Sequence, residues 1–237
     1  MKSQVKKYFK KAQRKIKRWR LRPISVFLFH QVSDSFDQAT MKAGDWTQTG
    51  QFKRNVEQLL KEYRFIPLDE AYQKMQKDFL RRRKYAVLTS DDGWASLNDI
   101  LPWLEERGIP VTLFLNPGYF DGEHFREKNT EKYLLQKDID SLASRFPHVS
   151  IGLHGWEHMR ATEQDEKEFR ENVTRSVQAL KGLNGYIPFF AYTYGSFNAM
   201  TDRVLREFGL IPVAIDREKN VDDLSVIHRE LLDGMKL

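Results

Sequence analysis

The sequence predicts an α/β protein built as a barrel, or a distorted barrel, of parallel strands. Short apolar runs rich in β-forming residues alternate with segments whose apolar residues recur at helical spacing. This alternation is typical of a parallel sheet with helical crossovers, and about seven such units fit one domain with a full core. A doubly wound open sheet is the alternative. Its dinucleotide-binding form loses support because no G-x-G-x-x-G sequence follows a predicted strand.

The first half of the chain supplies three predicted strands and three predicted helices. The strands are continuous apolar runs, which indicate burial: residues 24–30, 85–90 and 110–116. The helices are marked by apolar side chains at spacings of three and four: Phe52, Val56, Leu59, Leu60 and Tyr63; Ala71, Tyr72 and Met75; Ile100, Leu101, Trp103 and Leu104. We expect Asp69 to cap the second helix and the third to stop near Gly108.

The second half continues the same alternation. Further strands are predicted at residues 149–154, 188–195, 211–216 and 224–231. The helices are marked by a second set of apolar residues: Leu134, Leu135, Ile139, Leu142 and Phe146; Phe169, Val173, Val177 and Leu180; Val204, Leu205 and Phe208. The last of them is expected to end at Gly209, and the polar residues 118–130 form a predicted loop. Because the chain shows no repeat and no linker, we predict one domain over residues 23–237.

Composition limits the chemistry that the chain can carry. It has no cysteine, so disulfides and thiolate metal ligands are excluded, and a metal would need His, Asp or Glu. The hydrophobic content of 41% is typical of a globular protein. No apolar run approaches a membrane span, and the N-terminus lacks the apolar stretch of a signal peptide. We therefore expect a cytoplasmic protein.

Residues 1–22 form a basic segment in front of the predicted domain. This segment carries eleven Lys and Arg and no acidic residue, whereas the whole chain has a net charge of only +6. The remaining chain is therefore mildly acidic and does not indicate a nucleic-acid surface. An amphipathic helix here could lie on an anionic membrane or pack on the domain or a partner, with nucleic-acid binding a weaker third possibility. Its apolar residues recur at helical spacing: Val5, Tyr8, Phe9, Ala12, Ile16 and Trp19.

Polar residues interrupt the apolar runs at the same end of each predicted strand. In a parallel barrel, functional residues collect at the carboxyl ends of the strands. We therefore expect these side chains to meet at one edge of the barrel. They are His30, Asp91, Asp92, Asn116, His154, Tyr194 and Asp216.

Asp92 and His154, together with the nearby His158, predict a metal site. His154 and His158 are four residues apart, so a helix or tight turn would bring both imidazoles to one point. Two His and one carboxylate make a three-ligand site with open positions, and Asp92 would complete it. Asp91 would then accept a proton from metal-bound water. The competing interpretations are a simple Asp-Asp-Gly turn and a surface histidine pair.

Four motifs resemble the polysaccharide deacetylases, also called NodB-homology or carbohydrate esterase family 4 proteins. TSDDG at residues 89–93 resembles their T-F-D-D-G motif, and HGWEH at residues 154–158 resembles H-S/T-x-x-H. AYTYGSFN at residues 191–198 and LFHQV at residues 28–32 resemble the branch that acts on poly-N-acetylglucosamine. The resemblance covers roughly residues 24–231, in the same motif order.

The resemblance implies a distorted (β/α) barrel, a divalent metal that is commonly zinc, and hydrolysis of an N-acetyl group on an amino sugar. It implies that Asp91 is the general base and that the Tyr194 backbone N–H helps to hold the oxyanion. It implies the metal ligands already inferred: Asp92, His154 and His158. For the general acid, His228 in a late apolar motif is the first candidate and His30 its rival. The same motif could instead align Arg229 with an Arg found in the other branch of the family.

The chain departs from the family pattern at several positions. Ser90 replaces a Phe, Thr193 a Pro, and Gly155 a Ser or Thr whose hydroxyl supports the metal loop. Ala191 stands where many members have an Arg that orients the base, so Asp91 is expected to lack that partner. Asp216 is the counterpart of an acidic fourth motif that lacks its usual Trp.

The substrate is less defined than the chemistry. Trp94 and Trp156 flank the site motifs and could stack on a sugar or serve packing alone. A cytoplasmic member would act on a lipid-linked or nucleotide-linked sugar, with the basic segment at the inner membrane face. The alternatives are an O-acetyl esterase and a non-catalytic glycan-binding protein on the same fold.

Overall fold

A computed structural model describes residues 24–35, 46–76, 84–121, 133–215 and 226–232. The strands are β1 (Ile24–Phe29), β2 (Gln31–Val32), β3 (Trp46–Thr47), β4 (Tyr63–Phe65), β5 (Lys84–Ser90), β6 (Val111–Leu115), β7 (Val149–Leu153), β8 (Tyr186–Ala191), β9 (Ile211–Ala214), β10 (Ile227–His228) and β11 (Glu230–Leu231). The helices are α1 (Thr49–Leu60), α2 (Leu68–Gln76), α3 (Leu97–Glu106), α4 (Gln136–Arg145), α5 (Glu166–Leu180) and α6 (Ala199–Glu207).

The main sheet is parallel and nearly closed into a barrel. Its strand order is β10-β9-β8-β7-β6-β5-β1-β11, and β4 pairs additionally with the first half of β5. β10 and β11 are successive pieces of one short segment, residues 227–231, which we call the closing segment. β10 pairs with β9, and β11 pairs with β1, so this segment joins the two edges of the sheet. The predicted distorted barrel of parallel strands is confirmed.

Alternation along the strands divides the core into an outer and an inner cluster. Phe29 contacts Phe52 of α1, so the odd-numbered residues of β1 face the helices. Ile24 and Val26 face the other way and belong to the inner cluster. The same inner cluster contains residues from most of the barrel strands and from α2: Val87, Phe114, Phe189, Ala191, Val213, Ile227, Leu68 and Ala71.

The observed elements differ from the predicted ones mainly at their ends. Tyr63 was expected to lie on the first helix, but α1 ends at Leu60 and Tyr63 begins β4. There its ring packs edge-on against Phe27, and the strand pairs with β5. The second helix begins at Leu68, so Asp69 lies inside its first turn.

Several predictions fall on residues outside the described ranges. They concern the basic segment at residues 1–22, most of the predicted loop at residues 118–130, and Asp216. Within the described residues, no helix combines the length and apolar character needed to cross a membrane.

Gly152 of β7 tests the packing inside the barrel. A Cβ atom at this position would approach the Phe114 ring to 2.6 Å and the Phe189 carbonyl oxygen to 3.1 Å. We expect Gly152→Ala to lower the free energy of unfolding by about 1–3 kcal/mol because the overpacked interior must shift. Urea denaturation monitored by circular dichroism measures this. Gly182→Ala is the control, since nothing lies within 4 Å of its added Cβ. Equal midpoints for the two variants would contradict the packing argument.

Candidate active site

The candidate site lies at the carboxyl ends of the central strands. Asp91 and Asp92 directly follow β5, and His154 directly follows β7. His158 lies in the loop that leaves β7, four residues beyond His154. The predicted meeting of polar side chains at one edge is therefore observed for Asp91, Asp92 and His154, and His158 lies beside them.

Asp92, His154 and His158 form a cluster with one ligand atom each. These three atoms lie within 4.8 Å of one another. Oδ1 of Asp92 is 3.3 Å from Nε2 of His154 and 3.0 Å from Nε2 of His158. Asp92 adopts φ 73°, a left-handed conformation that Asp tolerates better than most residues, and this turns its carboxylate toward the imidazoles.

The orientation of His154 leaves its Nε2 available as a ligand. Its Nδ1 is 2.8 Å from the carbonyl oxygen of Ala191, so Nδ1–H donates and the Nε2 lone pair faces Asp92. The buried Oδ1 of Asp92 accepts no hydrogen bond of normal geometry from any described residue. A buried carboxylate oxygen facing imidazole nitrogens fits a divalent cation, and the donor types suit zinc.

The same contacts shift the pKa values of the cluster. Burial opposes ionisation of Asp92, but the facing imidazoles of His158 and His154 outweigh burial and hold its pKa well below the ordinary value. Burial also lowers the pKa of His154, whereas Asp91 and Asp92 raise it, and the net direction is upward. Protons and a cation would therefore compete for this imidazole as the pH falls.

Asp91 has a different partner from its neighbour. Both of its carboxylate oxygens accept hydrogen bonds from Arg229, at 2.6 Å and 2.7 Å, and both side chains are buried. Arg229 also donates to Thr89 Oγ1 at 3.3 Å, and its guanidinium lies 5.2 Å from the centre of the Phe114 ring. The expectation that Asp91 lacks an arginine partner is wrong. Ala191 does not provide one, but the closing segment does.

Arg229 also determines the charge state of Asp91. Burial raises the pKa of the Asp91 carboxyl, but the charges of Arg229, His154 and His30 lower it by more than burial raises it. The pKa therefore lies below its ordinary value. Oδ2 of Asp91 is 3.9 Å from Nε2 of His154. The structure therefore places an ionised, oriented carboxylate beside the three-residue cluster.

The loop that carries the two histidines is fastened by amide side chains. Asn116 Nδ2 donates to the carbonyl oxygens of His154 and Gly155, and Asn172 Oδ1 accepts the N–H of Trp156. Gly155 has φ 88°, and a Cβ there would meet Asn172 Oδ1 at 3.1 Å. Two asparagines thus hold the loop at Gly155, where the resemblance implies a hydroxyl in other members; Asn116 was predicted at this edge, whereas Asn172 was not predicted.

Tyr194 lies in the short turn that follows β8. It has φ 56°, and the next residue, Gly195, has φ 64°. Its ring is 4.6 Å from the ring of His158, and the Arg160 guanidinium lies 4.2 Å from its centre. The side chain is 53% exposed, so it borders the mouth of the site. The role of its backbone N–H stays a prediction.

The two candidate acids occupy different positions. His30 directly follows β1 and interacts electrostatically with Asp91. His228 lies in β10, where it pairs with Ala214. Ile227 and Arg229 point into the barrel, and neighbouring strand residues point to opposite faces. This alternation favours His30, and the assignment of His228 stays a prediction.

The fold and the site together define an α/β-barrel protein with a candidate metal centre at the carboxyl ends of its strands. Residues 80–213, more than half of the chain, match the sequence profile of the polysaccharide deacetylases. The chain belongs to the polysaccharide deacetylase family.

Solved structures share the fold at low sequence identity. The deacetylase PplD of Streptococcus pyogenes, in complex with acetate, is 18% identical with a TM-score of 0.74, covering 88% of this chain and 91% of that one. A de-N-acetylase from Aggregatibacter actinomycetemcomitans is 14% identical with a TM-score of 0.72, covering 90% and 97%. IcaB from Ammonifex degensii is 21% identical with a TM-score of 0.71, covering 88% and 91%.

Replacing Arg229 tests the buried ion pair. We expect Arg229→Gln to lower the free energy of unfolding of the metal-free protein by about 3–5 kcal/mol at pH 7, because Asp91 stays buried without its countercharge. In the wild type, the pKa of Asp91 is lower in the folded than in the unfolded state, so its ionisation stabilises the fold at pH values above the unfolded-state pKa. This stabilisation is lost as the pH falls through the folded-state pKa. Without Arg229, burial raises that pKa, so the deficit of the variant should shrink as pH falls from 7 toward 4.

Urea denaturation at pH 7, 5.5 and 4.5 measures this deficit. The matched control is Arg203→Gln, which removes an exposed ion pair with Glu166 and should change stability little at any of these pH values. A deficit for Arg229→Gln that equals the control, or that grows as pH falls, would show that Asp91 does not depend on this guanidinium.

Proposed function

We propose that the protein is a metal-dependent deacetylase that removes the acetyl group from an N-acetylated amino sugar of a glycan or glycan precursor. The observation that carries this proposal is the buried Asp91–Arg229 pair directly beside the Asp92, His154 and His158 cluster. The family supports it, as do related folds described as a deacetylase in complex with acetate and as a de-N-acetylase.

The cluster would hold the metal. Asp92, His154 and His158 offer one oxygen and two nitrogen atoms, a set that zinc accepts in catalytic sites with room for water and substrate. When bound, such a cation supplies Lewis-acid polarisation and lowers the pKa of water. The hydrogen bond from His154 to the Ala191 carbonyl keeps that imidazole in the required tautomer.

Asp91 would act as the general base. Its lowered pKa keeps the carboxylate ionised at neutral pH, so it can accept a proton from the water that attacks the acetyl carbonyl. Arg229 occupies both carboxylate oxygens from the barrel side and thereby prevents the side chain from rotating away. The remaining lone pairs of these oxygens serve the reaction.

The turn after β8 and the end of β1 would complete the site. The Tyr194 N–H is proposed to donate to the oxyanion of the tetrahedral intermediate. His30 is proposed to give a proton to the departing amine, because it interacts with Asp91 whereas strand alternation turns His228 to the other face. Cleavage of the amide C–N bond, with one water consumed, yields acetate and a free amino sugar.

Asp91→Asn tests the general base. We expect the variant to lose about 10²–10⁴-fold in turnover, because the amide cannot accept the proton, while its zinc content stays equal to the wild type. Acetate release from N-acetylglucosamine oligomers by the zinc-loaded full chain is the assay, and metal content is measured in parallel. Asp140→Asn, at an exposed position of α4, is the control and should keep wild-type turnover.

Two results would count against these assignments. Near-normal turnover of Asp91→Asn would disprove the base, and wild-type protein that releases no acetate from any substrate would disprove the function. The substrate panel therefore includes matched N-acetyl and O-acetyl sugars, as well as nucleotide-linked and lipid-linked forms. Faster release from the O-acetyl series would replace the proposed activity with an esterase.

Comparing two histidine variants tests the proton donor. We expect His30→Ala to lower turnover on the N-acetyl substrate by about 10²-fold, because an amine departs slowly without a proton. The loss should be much smaller on p-nitrophenyl acetate, whose leaving group needs no proton. His228→Ala should stay within a few-fold of wild type on both substrates. The reverse pattern would assign the acid to His228.

A further inference from the structure

Asp92 and His158 both lie outside regular secondary structure. Asp92 is in the turn after β5, and His158 is in the loop after β7. His154, by contrast, directly follows a strand and is held by the Ala191 carbonyl. The separation between Asp92 and His158 must therefore be set by contacts between loops. A group of three aromatic residues supplies such contacts.

Trp94 holds the carboxylate of Asp92. Its indole Nε1–H donates to Asp92 Oδ2 at 3.0 Å, and the indole is only 2% exposed. This bond fixes the rotation of the carboxylate and leaves Oδ1 directed at the two imidazoles.

Tyr119 holds the backbone of His158. It lies in the short turn Pro117–Tyr119 after β6, and its hydroxyl accepts the N–H of His158 at 2.9 Å. The same turn contacts the histidine loop a second time, since Gly118 N–H donates to the Trp156 carbonyl at 2.9 Å.

Tyr133 joins these two residues. Its ring stacks on Trp94 with centroids 4.5 Å apart and an interplanar angle of 20°. It also packs on Tyr119 with centroids 4.5 Å apart and an angle of 30°. The backbone supports this position, because Trp94 and Tyr133 form an isolated antiparallel bridge and Leu134 N–H donates to the Gly93 carbonyl at 2.8 Å.

We propose that Trp94, Tyr133 and Tyr119 form an aromatic bridge that positions Asp92 and His158 relative to each other and so determines the metal affinity of the site. The proposal rests on the metal site of the proposed function. All three are positioning residues, since each acts through a ligand and not on the substrate. Tyr133 makes neither of the two hydrogen bonds, so an effect of its ring on metal binding distinguishes the bridge from two unrelated contacts.

Zinc and cobalt titrations of the full chain test the bridge. Trp94→Phe removes the donor but keeps a ring, and Tyr119→Phe removes the acceptor but keeps the ring. We expect the dissociation constant for zinc to rise about 10–100-fold in each, as for other residues that orient metal ligands. The visible absorption of the Co²⁺-loaded protein should shift, because the ligand geometry changes.

The middle position gives the sharper comparison. Tyr133→Leu should weaken zinc binding by a similar factor. Tyr133→Phe should keep wild-type affinity because it keeps both ring contacts. Trp103→Phe on α3 is the control for a lost indole and should leave affinity unchanged. Circular dichroism of the metal-free proteins confirms that the compared variants are folded, and Tyr133→Met, which also removes the ring, takes the place of Tyr133→Leu if that variant does not fold.

The outcomes distinguish failure of the bridge from failure of the proposed function. Wild-type protein that binds neither metal overturns both. Wild-type protein that binds zinc, with bridge variants of equal affinity and unchanged Co²⁺ absorption, overturns the bridge alone. Weaker zinc binding in Tyr133→Leu, together with wild-type affinity in Tyr133→Phe, supports the bridge, whatever sugar the enzyme accepts.

Discussion

The buried pair between Asp91 and Arg229 links the closure of the barrel to its chemistry. Removing two charges from water costs several kcal/mol for each ion, and only good geometry with further hydrogen bonds offsets this cost. The two short hydrogen bonds and the contact with Thr89 provide that geometry. Arg229 lies between the two pieces of the closing segment, which pair with β9 and β1. The segment that joins the two edges of the barrel therefore also carries the guanidinium that orients Asp91.

The packing inside the barrel follows from the same pair. The guanidinium lies over Phe114, whose ring needs the space that a side chain at position 152 would occupy. Thr89 receives a hydrogen bond from Arg229 and gives one to the Phe27 carbonyl, so the ion pair is also tied to β1. Residues of β1, β5, β6, β7 and the closing segment thus meet around the Asp91–Arg229 pair.

Much of the fold could be predicted from the sequence because a buried parallel strand is a continuous apolar run and its helix has an apolar stripe. The candidate ligands could be predicted because Asp92 and His154 follow two such runs. Arg229 could not be paired with Asp91, since it lies between two strand pieces whose register depends on both edges of the sheet. Tyr119, in a turn, and Asn172, on α5, each contact the distant loop that carries the histidines, and such contacts leave no periodic pattern.

The two adjacent carboxylates differ because their surroundings differ. Arg229 is always protonated and offers only donors, so Asp91 stays ionised and its oxygens stay acceptors. Asp92 turns away at φ 73°, gives one oxygen to Trp94 and directs the other at two imidazoles whose electron pairs suit a cation. Like charges on neighbouring residues are tolerated because Asp91 faces the Arg229 guanidinium, whereas Asp92 faces two imidazoles that can carry a proton or hold a cation. The proposed division into one proton acceptor and one metal ligand thus follows from the backbone turn and from what each carboxylate meets.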